Sequence, residues 1–185
     1  MSDLLFPLAT FTRKGAVTEG RFDLMLDNHV EDVWAALTKP EIRVQWLAPG
    51  TIALRVGGAA KLAFEDSGVV IDSTVTAFKP MQLIEFSWSG PGEPERPIRF
   101  ALAPVGAETR LTLTVSAPAD EDAGRACAGW AAHLEMLAAT LAGVPTKFPF
   151  PLFKAASELY RTQVARALAG PGWLPGQDSN LRQVG

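Results

Sequence analysis

Between residues 21 and 115 the chain alternates apolar and polar side chains in short runs. In RFDLMLDN, Phe22, Leu24 and Leu26 fall on one face and Asp23, Met25 and Asp27 on the other, the period of a half-buried strand. The period then changes. Val30, Val33, Trp34 and Leu37 share one face of a short helix, with Asn28 at capping distance from Glu31. Thr38 and Glu41 repeat that device around Pro40, so a second short helix follows at once and carries Trp46. Beyond Pro49-Gly50, Ile52, Leu54 and Val56 alternate up to Gly57-Gly58, and Leu62 and Phe64 resume the pattern, which predicts a hairpin. Turn residues at 66–68 and 79–80 then bracket VVIDSTVTAF, and Ile84, Phe86 and Trp88 alternate along the next strand. SGPGEPERP is a loop by composition; Ile98, Phe100 and Leu102, then Leu111, Leu113 and Val115, mark two more strands. Tight turns between successive strands favour antiparallel pairing.

The strands give way to one long helix. Across residues 121–142, Cys127, Trp130, Leu134, Leu137 and Leu141 lie within about 80° of arc at helical spacing. Asp120 is placed to cap its first free donors, and Gly143 with Pro145 stops it. A single rod after a run of hairpins predicts an α+β fold, a curved antiparallel sheet wrapped around the helix with a hollow left between them. The opposite face of the rod, with Arg125, Ala132, Met136 and Ala139, is poor in charge and needs a cover. Two covers are available: a second copy of the chain, or a further helix at 153–168 with Phe153, Ala156, Tyr160, Val164 and Ala167 on one side. The expected organisation is an N-terminal extension at 1–19, whose Lys14-Gly15 turns one added strand back toward the next, and a binding domain at 20–145. A connector and added helix at 146–170 follow, then a loose tail at 171–185.

Composition narrows the class of partner. The chain is 48% hydrophobic and 20% charged with a net charge of −3, ordinary for a globular protein, and has no basic run to serve nucleic acid. Its single cysteine excludes an internal disulfide and fits the reducing cytoplasm; on the apolar stripe, Cys127 reads as a small buried hydrophobe. No apolar run approaches the length of a membrane span.

The order strand, two short helices, six strands, long helix resembles the START-like, or Bet v 1-like, helix-grip fold. VEDVWAALTKPEIRVQWLAP is similar to the opening signature of the family named after the C-terminal domain of the activator of Hsp90 ATPase. VGGAAKLAF, IEFSWS, ETRLTLTVSAP and AGWAAHLEMLAATLAG resemble its later motifs, and LYRTQVAR a terminal helix of many bacterial members. The resemblance covers about residues 20–168. It implies a superfamily of lipid and metabolite carriers, polyketide cyclases and stress-related proteins. The Hsp90-activating relatives carry a further N-terminal domain; no counterpart is expected here, and so no cochaperone role.

Chemistry-bearing motifs are sparse. His29, His133 and one cysteine give no metal-ligand spacing, VGGAAK lacks the rest of a phosphate loop, and there is no G-x-S-x-G elbow. No metal, cofactor or covalent nucleophile is therefore expected, and a binding role is read ahead of an enzymatic one. The ligand is expected to be a hydrophobic or amphipathic small molecule, in a cavity lined by Trp46, Phe64, Ile71, Phe86, Trp88, Phe100, Trp130, His133, Leu134 and Leu137. His133 stands at the rim of the stripe, either as ligand anchor or proton carrier, or as a boundary histidine satisfied by water or backbone. A cyclase- or hydrolase-like alternative needs His133 and Asp72 to face one pocket; with Thr74 and Thr76, Asp72 is expected to face solvent. A third reading is a protein-interaction or stress-response module that pairs through the Ala-rich helix face or the C-terminal helix.

Overall fold

In the computed structural model, which describes residues 7–169, the N-terminal strands β1 (Ala9–Lys14) and β2 (Val17–Leu26) form a hairpin closed at Gly15, whose φ of +59° suits a residue without Cβ. Next come α1 (Val30–Thr38) and α2 (Pro40–Arg43), then β3 (Gly50–Ile52), β4 (Ala59–Ala63), β5 (Val70–Lys79), β6 (Leu83–Ser87), β7 (Pro97–Val105) and β8 (Glu108–Pro118). The long helix α3 (Ala123–Leu141) and a second one, α4 (Phe150–Ala169), complete the chain. All eight strands join one antiparallel sheet in the order β1-β2-β8-β7-β6-β5-β4-β3, so β2 closes back on the last strand, with Phe22 opposite Leu113. A register shift between Val75 and Ala77 of β5 bends the sheet. This is the α+β helix-grip architecture expected from the sequence, with β1 added in front and α4 behind. The tail at 171–185 and the first six residues lie outside the described residues.

Local chemistry departs from the expected pattern at four points. The first turn of α1 is closed by the backbone carbonyl of His29, while Asn28 donates from Nδ2 to Leu141 O and accepts at its own carbonyl from Thr109 Oγ1. Asn28 therefore ties the end of β2 to α3 and β8 instead of capping. Thr38 donates back to Trp34 O, and Lys39 stands at the start of α2 ahead of Pro40, so Trp46 sits in the turn beyond that four-residue helix. The cap of α3 is Asp122, which accepts from Arg125 N at 2.9 Å, because the helix starts two residues later than expected. Glu121 is then free to take Arg96 in a two-pronged pair, Nε and Nη2 each 2.8 Å from a carboxylate oxygen. Finally, β3 ends at Ile52: Arg55 N bonds Ala53 O, Gly58 N bonds Arg55 O, and Gly57 takes φ +83°, so Leu54 and Val56 turn outward.

The helix layer rests on the sheet through missing side chains. A Cβ on Gly20 of β2 would run into the Cys127 sulfur of α3, so glycine is what lets strand and helix close up. Burial raises the Cys127 thiol to about 12, which keeps it protonated. The charge-poor back of α3 is covered by α4, which runs back along it. A Cβ on Gly124 would lie 2.8 Å from Arg161 N, and Arg161 reaches Asp122 at 2.9 Å. Tyr160, fully buried, packs edge-on against Phe11 and Phe22 and donates its hydroxyl to Pro7 O, which extends the helix layer over the β1–β2 end. Of the two expected covers, the chain's own helix lies on this face, over Gly124. Among the described residues no helix is long and apolar enough to cross a membrane.

Candidate functional site

Alternation along β5 to β7 and the stripe of α3 turn Ile71, Phe86, Phe100, Trp130, Leu134 and Leu137 toward one interior, with Phe64 and Trp88 just beyond β4 and β6 and Trp46 in the turn after α2. Ile71, Phe86, Phe100, Trp130, Leu134 and Leu137 are buried, as is Trp46, held by its indole N–H to Ala36 O at 2.8 Å; Phe64, Trp88 and His133 are half-buried at one end. The rings form a continuous row. Phe148 in the connector before α4 meets His133 at 5.4 Å between centroids, and His133 meets Phe64 at 5.7 Å. Phe64 meets Trp88 at 5.9 Å, Trp88 meets Trp130 at 4.8 Å, Trp130 meets Phe100 at 5.8 Å, and Phe100 meets Trp46 at 6.3 Å. Most of these pairs are edge-to-face, the favoured geometry for aromatic rings. This row runs between sheet and helix, and the void at its inner end, bordered by Trp46, Ile84, Phe86 and Phe100, has a volume of about 10 Å³. A second hollow, an open groove of about 370 Å³, lies over β3, β4 and β5, beside Lys61, Glu65 and Asp72.

Two polar side chains interrupt the apolar interior. His133 bonds Trp46 O through Nδ1 at 2.9 Å. A carbonyl only accepts, so Nδ1 carries the proton and Nε2 keeps its lone pair in the neutral ring. Enclosure by Phe64, Trp130 and Phe148 lowers the imidazole pKa, opposed in part by the bond to Trp46 O, so the neutral form dominates near pH 7. This is the backbone-satisfied boundary histidine of the simpler sequence reading, with Nε2 given to no protein group among the described residues.

The second is Arg43, 1% exposed, which the sequence reading did not single out. Its Nη1 donates to Leu37 O at 3.4 Å and Thr38 O at 3.2 Å, and its Nη2 to Gly50 O at 2.7 Å. Leu37 and Thr38 end α1, where free carbonyls and the negative end of the helix dipole favour a cation. Arg43 Nε has no partner, and the residue borders the 10 Å³ void. Burial lowers the pKa of its guanidinium, with exposed Glu41 acting the other way. A signal existed in the sequence: Arg43, Trp46 and Leu47 are spaced i, i+3, i+4, which turns Arg43 to the side of two apolar residues. Phe148 also went unassigned, hidden in the Pro-broken segment PTKFPFPLF. Asp72 faces outward on β5 with Thr74 and Thr76, so it shares no pocket with His133 and the paired acid–base arrangement does not form.

Comparison with known proteins sets this interior in context. Residues 27–142 match the family model described as Activator of Hsp90 ATPase homolog 1-like protein. Curated proteins give no match. Among solved structures, the crystal structure of CalU16 from Micromonospora echinospora is similar at a TM-score of 0.69 and 19% identity, over 88% of this chain and 99% of that one. The solution structure of the BPP1335 product of Bordetella parapertussis is similar at 0.67 and 29% identity, over 85% and 92%. DynU16, a protein in the dynemicin biosynthetic locus, is similar at 0.62 and 28% identity, over 69% of this chain and 48% of that one.

Proposed function

The chain belongs to the Activator of Hsp90 ATPase homolog 1-like family, and from that premise we propose that it takes up a hydrophobic or amphipathic small molecule between the sheet and α3. The observation that supports this is the row of rings from the connector to Trp46. The row begins beside an exposed ring, Phe150, 4.9 Å from Phe148, and ends at a void that holds about one water. A ligand that enters along this path exchanges ring–ring contact for ring–ligand contact, so the apolar area kept from water is conserved. Each displaced pair forfeits only about 0.5–1.5 kcal/mol beyond its burial. Residues 20–145 form the binding unit in this reading, with 146–170 as its cover. Titration with an apolar fluorescent probe tests it: the expected result is saturable uptake with a change in tryptophan emission, and uptake that never saturates removes the proposal.

A second reading is kept for one specific reason, the bare Nε2 of neutral His133 among the rings. In an enzyme of the cyclase kind it would serve as a lone base, and the place of DynU16 in a biosynthetic locus is compatible with such chemistry. Turnover of a candidate polyketide that survives His133→Gln rejects this role.

A further inference from the structure

We propose that Arg43 is the head-group anchor of the interior site, and that the ligand is an anionic amphipath whose carboxylate meets the Nε–Nη2 edge while its apolar body lies along Trp46, Phe86 and Phe100. The inference rests on the binding role proposed above and adds the chemistry of the ligand.

The donor inventory carries it. A guanidinium has five N–H groups in a fixed planar fork. Three are given to the carbonyls of Leu37, Thr38 and Gly50, which leaves Nε–H and the second Nη2 proton. Nε and Nη2 form the edge that can hold a carboxylate side-on, Nε being without a partner and Nη2 shared with Gly50 O. The same protein uses that edge elsewhere, where Arg96 grips Glu121 through Nε and Nη2 at 2.8 Å each. At Arg43 no carboxylate among the described residues takes the place, although the group is 1% exposed. The carbonyls and the dipole of α1 hold the cation, and exposed Glu41 acts on it from a distance, but burial still costs Arg43 and its Nε–H is left without an acceptor, a deficit that an incoming anion relieves. A single water is a poor substitute. The side chains around the void are apolar apart from Arg43, and the Trp46 N–H is already given to Ala36 O, so such a water lacks the three or so partners buried waters usually make. The planar fork selects a carboxylate, and the net charge of −3 means that any preference for an anion must arise locally.

The test uses the whole chain and a matched head-group series: dodecanoate, methyl dodecanoate and dodecanol, followed by tryptophan emission. The expected result is that dodecanoate binds about tenfold or more tightly than ester and alcohol, and that the preference persists in about 1 M salt, where surface attraction is screened. Arg43→Met should abolish the preference, bringing the acid to the level of the ester measured in the same variant. Because Arg43 also ties α1 to β3, this variant is read only if it unfolds cooperatively; the wild-type series decides by itself. Equal affinity for acid, ester and alcohol, or an acid preference lost in salt, overturns the role of Arg43 and leaves the apolar binding role standing. Binding of none of the three overturns both.

Discussion

His133 and Trp130 stand one helical turn apart on the same side of α3, yet their energetics differ in kind. The depressed pKa of His133 is a statement about stability. Its folded value lies below the ordinary 6.5, so on acidification the unfolded chain takes up the proton first. Stability is therefore held above about pH 6.5 and lost progressively as the pH falls below it. Urea midpoints measured from about pH 7.5 to about pH 5 should fall in the wild type and fall less in His133→Gln. Trp130 is 4% exposed, sits among Trp88, Phe100 and His133, and lines neither of the two hollows described above. Trp130→Ala should cost about 3–5 kcal/mol, seen as a lower denaturant midpoint at unchanged slope. A cost near 1 kcal/mol would mean that the ring borders open space in solution.

At the scale of elements, two glycines set how closely the layers approach. Gly20 admits the Cys127 sulfur against β2, so Gly20→Ala overpacks the strand–helix contact and should destabilise by about 1–3 kcal/mol. Cys127→Ala removes the obstructing atom, and the double variant should recover part of that loss in a double-mutant cycle. Strict additivity would place the strain elsewhere, for instance at Phe11, whose ring also lies close to Gly20. Gly124 plays the same part between α3 and α4, and there the obstacle is Arg161 backbone, which cannot step aside. Gly124→Ala should therefore cost stability that no change in the Arg161 side chain recovers, as thermal unfolding of Gly124→Ala with and without Arg161→Ala would report.

At the scale of the molecule, α4 is what separates a closed surface from an apolar one. Deleting residues 146–185 uncovers Gly124, Ala132 and the buried environment of Phe11 and Phe22, and should make the protein self-associate as its concentration is raised, by light scattering at two concentrations. The element order was legible in the sequence because period-two alternation on β2 and β4–β8, and the 3.6-residue stripe of α3, report local burial, which each strand or helix imposes on its own residues. Burial was legible in the same way: Ile71, Phe86, Phe100, Trp130, Leu134 and Leu137 lie buried on the apolar faces that alternation and the stripe mark, as does the thiol of Cys127. The end of β3 was not, because Leu54 and Val56 keep the strand pattern although Gly57 turns the chain away before it can pair. Caps were misplaced by one or two residues: Asn28 has a long-range partner, Leu141 O, that no local window contains, and α3 is capped by Asp122 and not Asp120 because it starts beyond Glu121, which pairs with Arg96. What the sequence determined alone was therefore which face of each element is apolar. Only the tertiary structure decided that the rings close into a row, that α4 packs on α3, and that a buried arginine keeps an unpartnered Nε, because these follow from how faces far apart in the chain meet, which no periodicity encodes.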